Sequence, residues 1–538
     1  MMGAVRKILA HEGSIVGALI LIFVIANLSQ TLAYIAITPQ GFVFPLVHNY
    51  VEDYYYYLHL MRQGYDGMWL ATSRLTPEIF PPVFVNPFFL LLGHIARIGG
   101  ITLPAMYTLA RAMGGIGVIG GTYLLVRIVF PESGLKRITA LILTFTSTYF
   151  WGWGSQGPTV APLVHDWTEL DPLFRLSYIP HHLWSKVFMM LTFLIYLRLL
   201  NTGQKKYLVA ACVATLVAGF ISPVVLATML PMIAIWFFIE LESHWKKILT
   251  LSQLTSWGAL FGSMLFVALY HRFVQQGVFP WTSYLSWEKV QYLVTPLGYL
   301  QSLGPNFFLF VIGIPILLKK KFLGSFLLAW AVTSWVTLFL LAPYIPLTNS
   351  RYLGGYQFIP LGIGASMTFF WISERLYLHG NMLTRCIVPL FVLFLLLFNG
   401  VGIWLSWKEH VGYVASNRWN AQVFVPNDVI GAFAYLSKEA GGDVVVAPLE
   451  ISTMIPAFTG SRVISGHKTI TYEYDAKNRE LASFFSHQNL TQDREFLLKY
   501  HAQYVLAYGP EQSAVVMYKD LGLTLVYNNP TVTIFRVP

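Results

Sequence analysis

Long apolar stretches alternate along this chain with short polar intervals, many of them basic. A run of roughly 20 apolar residues is enough for a helix to cross the hydrocarbon core of a bilayer. On that basis the pattern predicts about eleven spans. Their limits lie near Ser14–Ile37, Leu103–Val129, Ile138–Trp153, Ile179–Leu200, Tyr207–Ile221, Val224–Ile239, Ile248–Tyr270, Leu303–Leu318, Phe322–Ala342, Tyr352–Ile372 and Cys386–Trp404. The first is longer than the apolar region of a cleaved signal peptide and no clear cleavage site follows it, so it is expected to stay as an anchor. The stretch from Phe80 to Ile98 is apolar too, but Pro81, Pro82 and Pro87 break it. It reads as an interfacial or re-entrant helix on the outer face, not as a crossing.

Basic residues set the orientation. With the N-terminus in the cytoplasm, Arg6, Lys7, Lys136, Arg137, Lys205, Lys206, Lys246, Lys247, Lys319, Lys320, Lys321, Arg375 and Arg385 all fall on the cytoplasmic side, as the positive-inside tendency requires. The outer face then carries Thr38–Ile101, Gly154–Tyr178, His271–Ser302 and everything after Trp404. The pattern changes near Ser406. An amphipathic helix over Asp428–Ala440 stops at Gly441 and Gly442, and a strand follows at Asp443–Ala447. Further strands are predicted at Gln503–Tyr508, Leu523–Tyr527 and Val532–Val537, with helices at Lys477–His487 and Gln492–Tyr500. The expected organisation is a polytopic all-α membrane domain over residues 1–405, with outer-face juxtamembrane helices, and a small C-terminal extracytoplasmic α/β domain over residues 406–538. A soluble domain outside, and a C-terminus without a retrieval signal, point to multi-pass insertion in a prokaryotic cell (plasma) membrane.

Composition narrows the class. Of 538 residues, 56% are hydrophobic and only 11% charged, against about 25% charged in ordinary soluble domains, and mean hydropathy is +0.58. A soluble fold could not bury that much apolar surface. The net charge of +10 is scattered between spans, which argues for membrane topology and against nucleic acid as a partner. Cys212 and Cys386 both lie in apolar stretches far apart, so no disulfide framework or cysteine metal site is expected. The C-terminal region shows neither a glycine-rich phosphate loop nor a nucleophile elbow.

Chemistry-bearing residues cluster in the outer segments. The first holds Glu52-Asp53-Tyr54-Tyr55-Tyr56-Tyr57, then Arg62, Tyr65 and Asp66. Adjacent carboxylates repel, so at least one is expected to have a partner, and a carboxylate there could serve as general base on an acceptor hydroxyl. An aromatic belt with solvated charges has the same composition. The second segment reads His165-Asp166-Trp167-Thr168-Glu169-Leu170-Asp171, then Arg175 and Tyr178, and runs into Pro180-His181-His182-Leu183-Trp184-Ser185-Lys186. Two histidines and a lysine where a membrane helix begins suit a phosphate or diphosphate. The alternative is a snorkelling Lys186 with both histidines among lipid head groups. Zinc held by His165, His181 and His182 is disfavoured, because adjacent helical residues point about 100° apart. In Thr348-Asn349-Ser350-Arg351-Tyr352, the Arg351 guanidinium could take phosphate oxygens or anchor the interface. Trp281, Tyr284, Trp287, Glu288, Lys289 and Tyr292 form an amphipathic stretch that could line a groove.

The order of these parts resembles the GT-C superfamily of polyprenyl-phosphate-dependent glycosyltransferases. The parts are a first span, an outer loop with the acidic pair Glu52-Asp53, a proline-containing interfacial helix and a span entered through Leu109-Ala110-Arg111. An acidic outer segment (Asp166, Glu169, Asp171), a basic outer edge (Arg351) and a C-terminal extracytoplasmic domain follow. The resemblance implies that Asp53, with Glu52 beside it, is the base or acceptor-binding group. It also implies a sugar donor on a polyprenyl phosphate that enters from the bilayer, its phosphate held by His181, His182, Arg351 and Lys186. Asp166, Glu169 and Asp171 would then serve the acceptor, or a divalent cation such as Mg or Mn, and Asp53 with Asp166 and Glu169 is a second set of hard oxygen ligands. The first loop lacks a clear Asp-x-Asp and the C-terminal region a WWD-type triplet, so asparagine-linked oligosaccharide transfer is not expected. The implied reaction moves the sugar, with inversion, to the hydroxyl of a glycan, lipid or protein acceptor of the cell envelope. A multi-pass transporter or flippase of lipid-linked glycans is the rival reading. It would place charges mid-span or broken helices in two related halves.

Overall fold

The apolar windows become long helices in the structure, a computed structural model that describes residues 2–146, 149–155, 157–345, 347–379, 382–417, 420–486 and 489–538. The N-terminal elements are α1 (Met2–Ile37), α2 (Val51–Tyr65), α3 (Pro87–Gly99) and α4 (Leu103–Val129). Among the described residues seven helices are long and apolar enough to cross a bilayer: Glu12–Ile37, Leu103–Val129, Pro180–Thr202, Pro223–Lys246, Leu251–Gly277, Lys321–Tyr344 and Pro389–Ser416. The shortest has 23 residues, about 35 Å of helix at 1.5 Å per residue. The chain is a multi-pass membrane protein.

Seven of the expected spans match these helices, and four differ. Leu303–Leu318 is the second arm of a pair, Pro296–Leu303 and Pro305–Leu318, bent by 87°, where Gly304 takes a positive φ. Tyr207–Ile221 forms the helix Lys205–Ile221, of 17 residues. The span expected from Tyr352 forms Phe358–His379 instead, because Tyr352 ends a 3-10 turn and Tyr356 adopts a positive φ of 57°. Ile138–Trp153 is helical only to Phe145. Residues 147 and 148 lie outside the described residues, and Gly152–Gly154 then pairs as a strand with Gly157–Thr159, since two glycines favour a turn-and-strand over a helix. The prolines confine helix within Phe80–Ile98 to α3, whose 13 residues reach only about 20 Å and cannot cross.

Two compact units divide the chain. The first, Met1–Gln30, Arg111–Leu269 and Glu288–Tyr413, is helical apart from the short Gly152–Thr159 strand pair. Aromatic rings lock its interior: Trp236 lies 5.1 Å from Trp257, 5.2 Å from Phe326 and 5.7 Å from Tyr196, centroid to centroid. Small residues let two helices touch. On α4, a Cβ at Gly114, Gly117 or Gly121 would come within 2.7–2.8 Å of Leu183, Val187 or Met190 of the Pro180–Thr202 helix, the close approach by which membrane helices associate without a hydrophobic drive. That contact holds in place the helix end that bears His181, His182 and Lys186.

Thr31–Ala110, Tyr270–Trp287 and Val414–Pro538 make up the second unit. Its five-stranded sheet runs Arg462–Val463, Val444–Val446, Tyr504–Tyr508, Val532–Arg536, Thr524–Asn528, with the first two pairings parallel and the last two antiparallel. Val444, Val445, Val446, Val505, Leu506 and Ala507 are all buried, as strands covered on both faces require. The predicted strands and the helices Asn427–Glu439, Tyr474–Ser486 and Leu490–Lys499 all form; His487, the expected end of one of them, lies outside the described residues. In the same unit, Phe42–Val43 pairs antiparallel with Val425–Pro426, so the segment that follows α1 and the C-terminal α/β region fold together.

Candidate active site

In the second unit the acidic pair opens α2. Glu52 and Asp53 occupy the first turn, where the helix dipole favours negative charge. The tyrosines after them are core residues, not an interfacial belt: Tyr54, Tyr55 and Tyr56 are buried. Tyr54 donates to the Pro45 carbonyl and Tyr55 to that of Gln422, each at 2.5 Å. Tyr56 accepts from Asn86 Nδ2 at 3.1 Å and is hydrogen-bonded to Tyr284, and burial followed by that neighbour pushes its phenol well above the ordinary range. At the other end of α2, Arg62 and Arg74 grip Asp66 at 2.9 and 2.7 Å. The helix is thus anchored in its middle and at its far end, while Glu52 in its first turn is exposed and the Asp53 side chain remains 40% exposed. Sequence reasoning missed the group beside it, His467, whose Nε2 lies 3.4 Å from Asp53 Oδ1. No motif marks that histidine, because 414 positions separate the two in the chain.

The first unit gathers the cations. Arg175, 1% exposed in its side chain, contacts Glu169 at 3.2 Å and lies 3.6 Å above the Tyr178 ring. Burial works against the Arg175 charge, but the Glu169 carboxylate and the Tyr178 and Tyr356 phenols outweigh it and hold its pKa above the ordinary value. Tyr178 donates to Glu169 Oε1 at 3.2 Å. Lys186, 2% exposed, points its Nζ over the Tyr356 ring at 5.6 Å. Rings of His181 and His182 lie 4.3 Å apart. Both are within electrostatic range of Arg175 and Arg351, and His182 of Lys186 as well. The predicted phosphate-binding set, His181, His182, Lys186 and Arg351, therefore converges, joined by Arg175, which the sequence shows only as a loop residue.

Two features of this cluster bear on anion binding. Among the described residues Lys186 has no carboxylate partner, and Arg175 Nε is buried without a hydrogen-bond acceptor. Arg351, by contrast, directs Nε and Nη2 at Glu288 Oε1, at 3.0 and 2.6 Å, while Glu288 Oε2 accepts from the Thr348 amide at 3.3 Å. Its planar fork is spent on that carboxylate, not left open.

The other acidic residues are placed differently. Asp166 ends a five-residue helix and is exposed. Asp171 is buried and caps the Pro172–Arg175 helix through the amides of Leu173 and Phe174, with Ser406 donating to its other oxygen. Among the described residues no three His, Cys, Asp or Glu side chains stand close enough to share a metal ion. The donor set Asp166, Glu169 and Asp171 expected for a divalent cation does not assemble among these residues.

No protein-family model matches the sequence, and no curated protein does either. Solved structures do. The oligosaccharyltransferase of Archaeoglobus fulgidus is similar at 15% identity and a TM-score of 0.49, over 96% of this chain and 74% of that one. ArnT from Cupriavidus metallidurans, solved with undecaprenyl phosphate, is similar at 10% identity and a TM-score of 0.48, over 97% and 98%. The mycobacterial arabinofuranosyltransferase AftD reaches a TM-score of 0.51 at 13% identity, over 96% of this chain and 41% of AftD. The likeness to AftD is one of fold: this chain has the GT-C-type fold, a polytopic helical membrane domain followed by a C-terminal domain.

Proposed function

We propose that the protein is a membrane glycosyltransferase that moves a sugar from a polyprenyl-phosphate donor to an acceptor hydroxyl on the extracytoplasmic face, with inversion. The observation that carries this reading is Lys186, a buried lysine side chain with no carboxylate partner among the described residues. A buried charge is costly unless paired, and the phosphate of the donor is the anion this cluster suits. Arg175 Nε, buried and unsatisfied, adds a second donor for it. Fold likeness to an arabinofuranosyltransferase is in keeping with sugar transfer. Residues 1–405 are assigned to the catalytic membrane part and 406–538 to an extracytoplasmic domain. The distribution of Lys and Arg supports a cytoplasmic N-terminus in a cell membrane.

In this reaction Asp53 removes the proton of the acceptor hydroxyl. The freed oxygen attacks the anomeric carbon, the bond from that carbon to the phosphate oxygen breaks, and the polyprenyl phosphate leaves with the bonding electrons. Lys186 and Arg175 offset the charge that grows on the leaving phosphate, the kind of electrostatic stabilisation that often dominates such steps, and His181 and His182 offer it hydrogen bonds. The test is transfer of labelled sugar by purified protein from a panel of polyprenyl-phosphate sugars. Wild type is expected to transfer from at least one donor, and Asp53→Asn to lose about 10²-fold or more. Equal rates would remove Asp53 from the mechanism. No transfer from any donor would return the protein to the transporter reading.

A further inference from the structure

We infer that His467, on the loop Ser465–Tyr472 of the α/β region, is a positioning residue for Asp53: it donates its Nε2–H to that carboxylate and fixes the oxygen that takes the acceptor proton. The inference rests on the reading of Asp53 as base. Its geometry begins with the other ring nitrogen. The Thr469 amide donates to His467 Nδ1 at 3.1 Å, so Nδ1 carries no proton in the neutral ring and the proton resides on Nε2. Nε2 stands 3.4 Å from Asp53 Oδ1, which makes the contact a donation from imidazole to carboxylate. Among the described residues this is the one hydrogen-bond partner of the Asp53 side chain.

The loop is held as a presenting element needs to be. The Ile470 and Thr471 amides both donate to the His467 carbonyl, at 3.0 and 2.9 Å. Thr471 donates to the Leu75 carbonyl at 2.7 Å and accepts from the Gly466 amide at 3.1 Å. Ser73 donates to the Ile470 carbonyl at 3.1 Å, and Ser283 to that of Thr469. Lys477, 2% exposed, reaches Thr76 at 3.0 Å and Glu78 at 2.6 Å. The His467 side chain is 11% exposed, whereas Asp53 keeps 40%. A buried, tautomer-fixed donor thus meets an open carboxylate. An imidazole that merely filled space would need neither the fixed tautomer nor the aim.

Two measurements on the full-length protein test this. In the first, histidine-labelled protein is examined by 15N NMR. The His467 ring is expected as the Nε2–H tautomer, with a resonance that moves in Asp53→Asn; an Nδ1–H tautomer, or no change in Asp53→Asn, overturns the contact whether or not a donor is known. In the second, the transfer rate is compared across variants. His467→Ala should lower kcat by about 10²-fold, as for a misplaced catalytic group, with donor KM unchanged. His467→Gln, which keeps an N–H at the same reach, should recover most of that loss, and His467→Ala added to Asp53→Asn should cost nothing further. Equal defects in the Ala and Gln variants, or additive losses in the double variant, overturn the positioning role. A wild type that transfers from no donor sinks the glycosyltransferase reading itself, a result distinct from either.

Discussion

Single side chains carry the chemistry proposed here, and two of them differ in how far the sequence reveals them. Lys186 is legible as a cation beside two histidines at a helix start, but its burial without a carboxylate is not. That burial leads to a prediction of opposite signs. Lys186→Met keeps the length and removes the charge, so the unliganded protein should unfold at a higher temperature, since an uncompensated buried charge is destabilising. The same variant should raise donor KM by about 10- to 100-fold, the worth of one charged hydrogen bond. A lower unfolding temperature with unchanged KM would show that Lys186 serves the fold alone. Arg351 makes the reverse case. An arginine at a span edge reads as an open fork, but Glu288, 63 positions away, occupies it, and that partner could be identified only after folding.

Elements bring these residues into place, and α2 shows how. Its backbone touches that of α3: a Cβ on Gly64 would lie 2.0 Å from the Leu90 carbonyl oxygen, and one on Gly93 2.0 Å from that of Met61. Gly93→Ala must therefore push the helices apart, and the loss should fall at the upper end of single-substitution effects, about 3 kcal/mol or more. Differential scanning fluorimetry of the purified variant checks it, and an unchanged midpoint would mean the helices are not in backbone contact. The buried face of α2 also predicts a pH dependence. His59 donates from Nδ1 to the Tyr56 carbonyl at 2.8 Å and contacts Gln63 Nε2 at 2.9 Å, and burial lowers its pKa from 6.5 to about 4. The unfolded chain binds the extra proton between those values, so this contribution is fully present above pH 6.5 and is lost as pH falls towards 4. At 1.36 kcal/mol per unit the loss approaches about 3 kcal/mol. The unfolding midpoint should drop between pH 7 and pH 5, and His59→Gln should flatten that drop; parallel curves would remove His59 as the cause. None of this is visible in the residues Val51–Tyr65 themselves. Their four consecutive tyrosines read equally as an interfacial belt, and only Pro45, Asn86, Tyr107, Tyr284 and the C-terminal region, packed around them, turn three of them into core.

On the scale of the whole molecule, orientation is open to direct test. Reporter fusions or cysteine labelling in intact cells should find Lys319–Lys321 inside and a tag after Pro538 outside; both on one side would refute the proposed topology. Much of the architecture was determined by sequence alone. Seven helices follow from apolar length, because backbone groups in lipid must be satisfied within the segment itself, and helix is the local solution. Four of the strands and three of the helices after Val425 follow from periodicities of two and 3.6, whereas the edge strand Arg462–Val463 has too few residues to show a period. Where the sequence over-reads, as at Ile138–Trp153, hydropathy counts tryptophan and glycine without regard to backbone preference. What tertiary structure alone decided are the pairings: Glu288 on Arg351, His467 on Asp53, and the burial of Arg175 with Lys186 and the histidines. The first two join residues 63 and 414 positions apart, and no local propensity encodes which carboxylate will meet which donor. They arise from packing, and packing is where the candidate chemistry of this protein becomes specific.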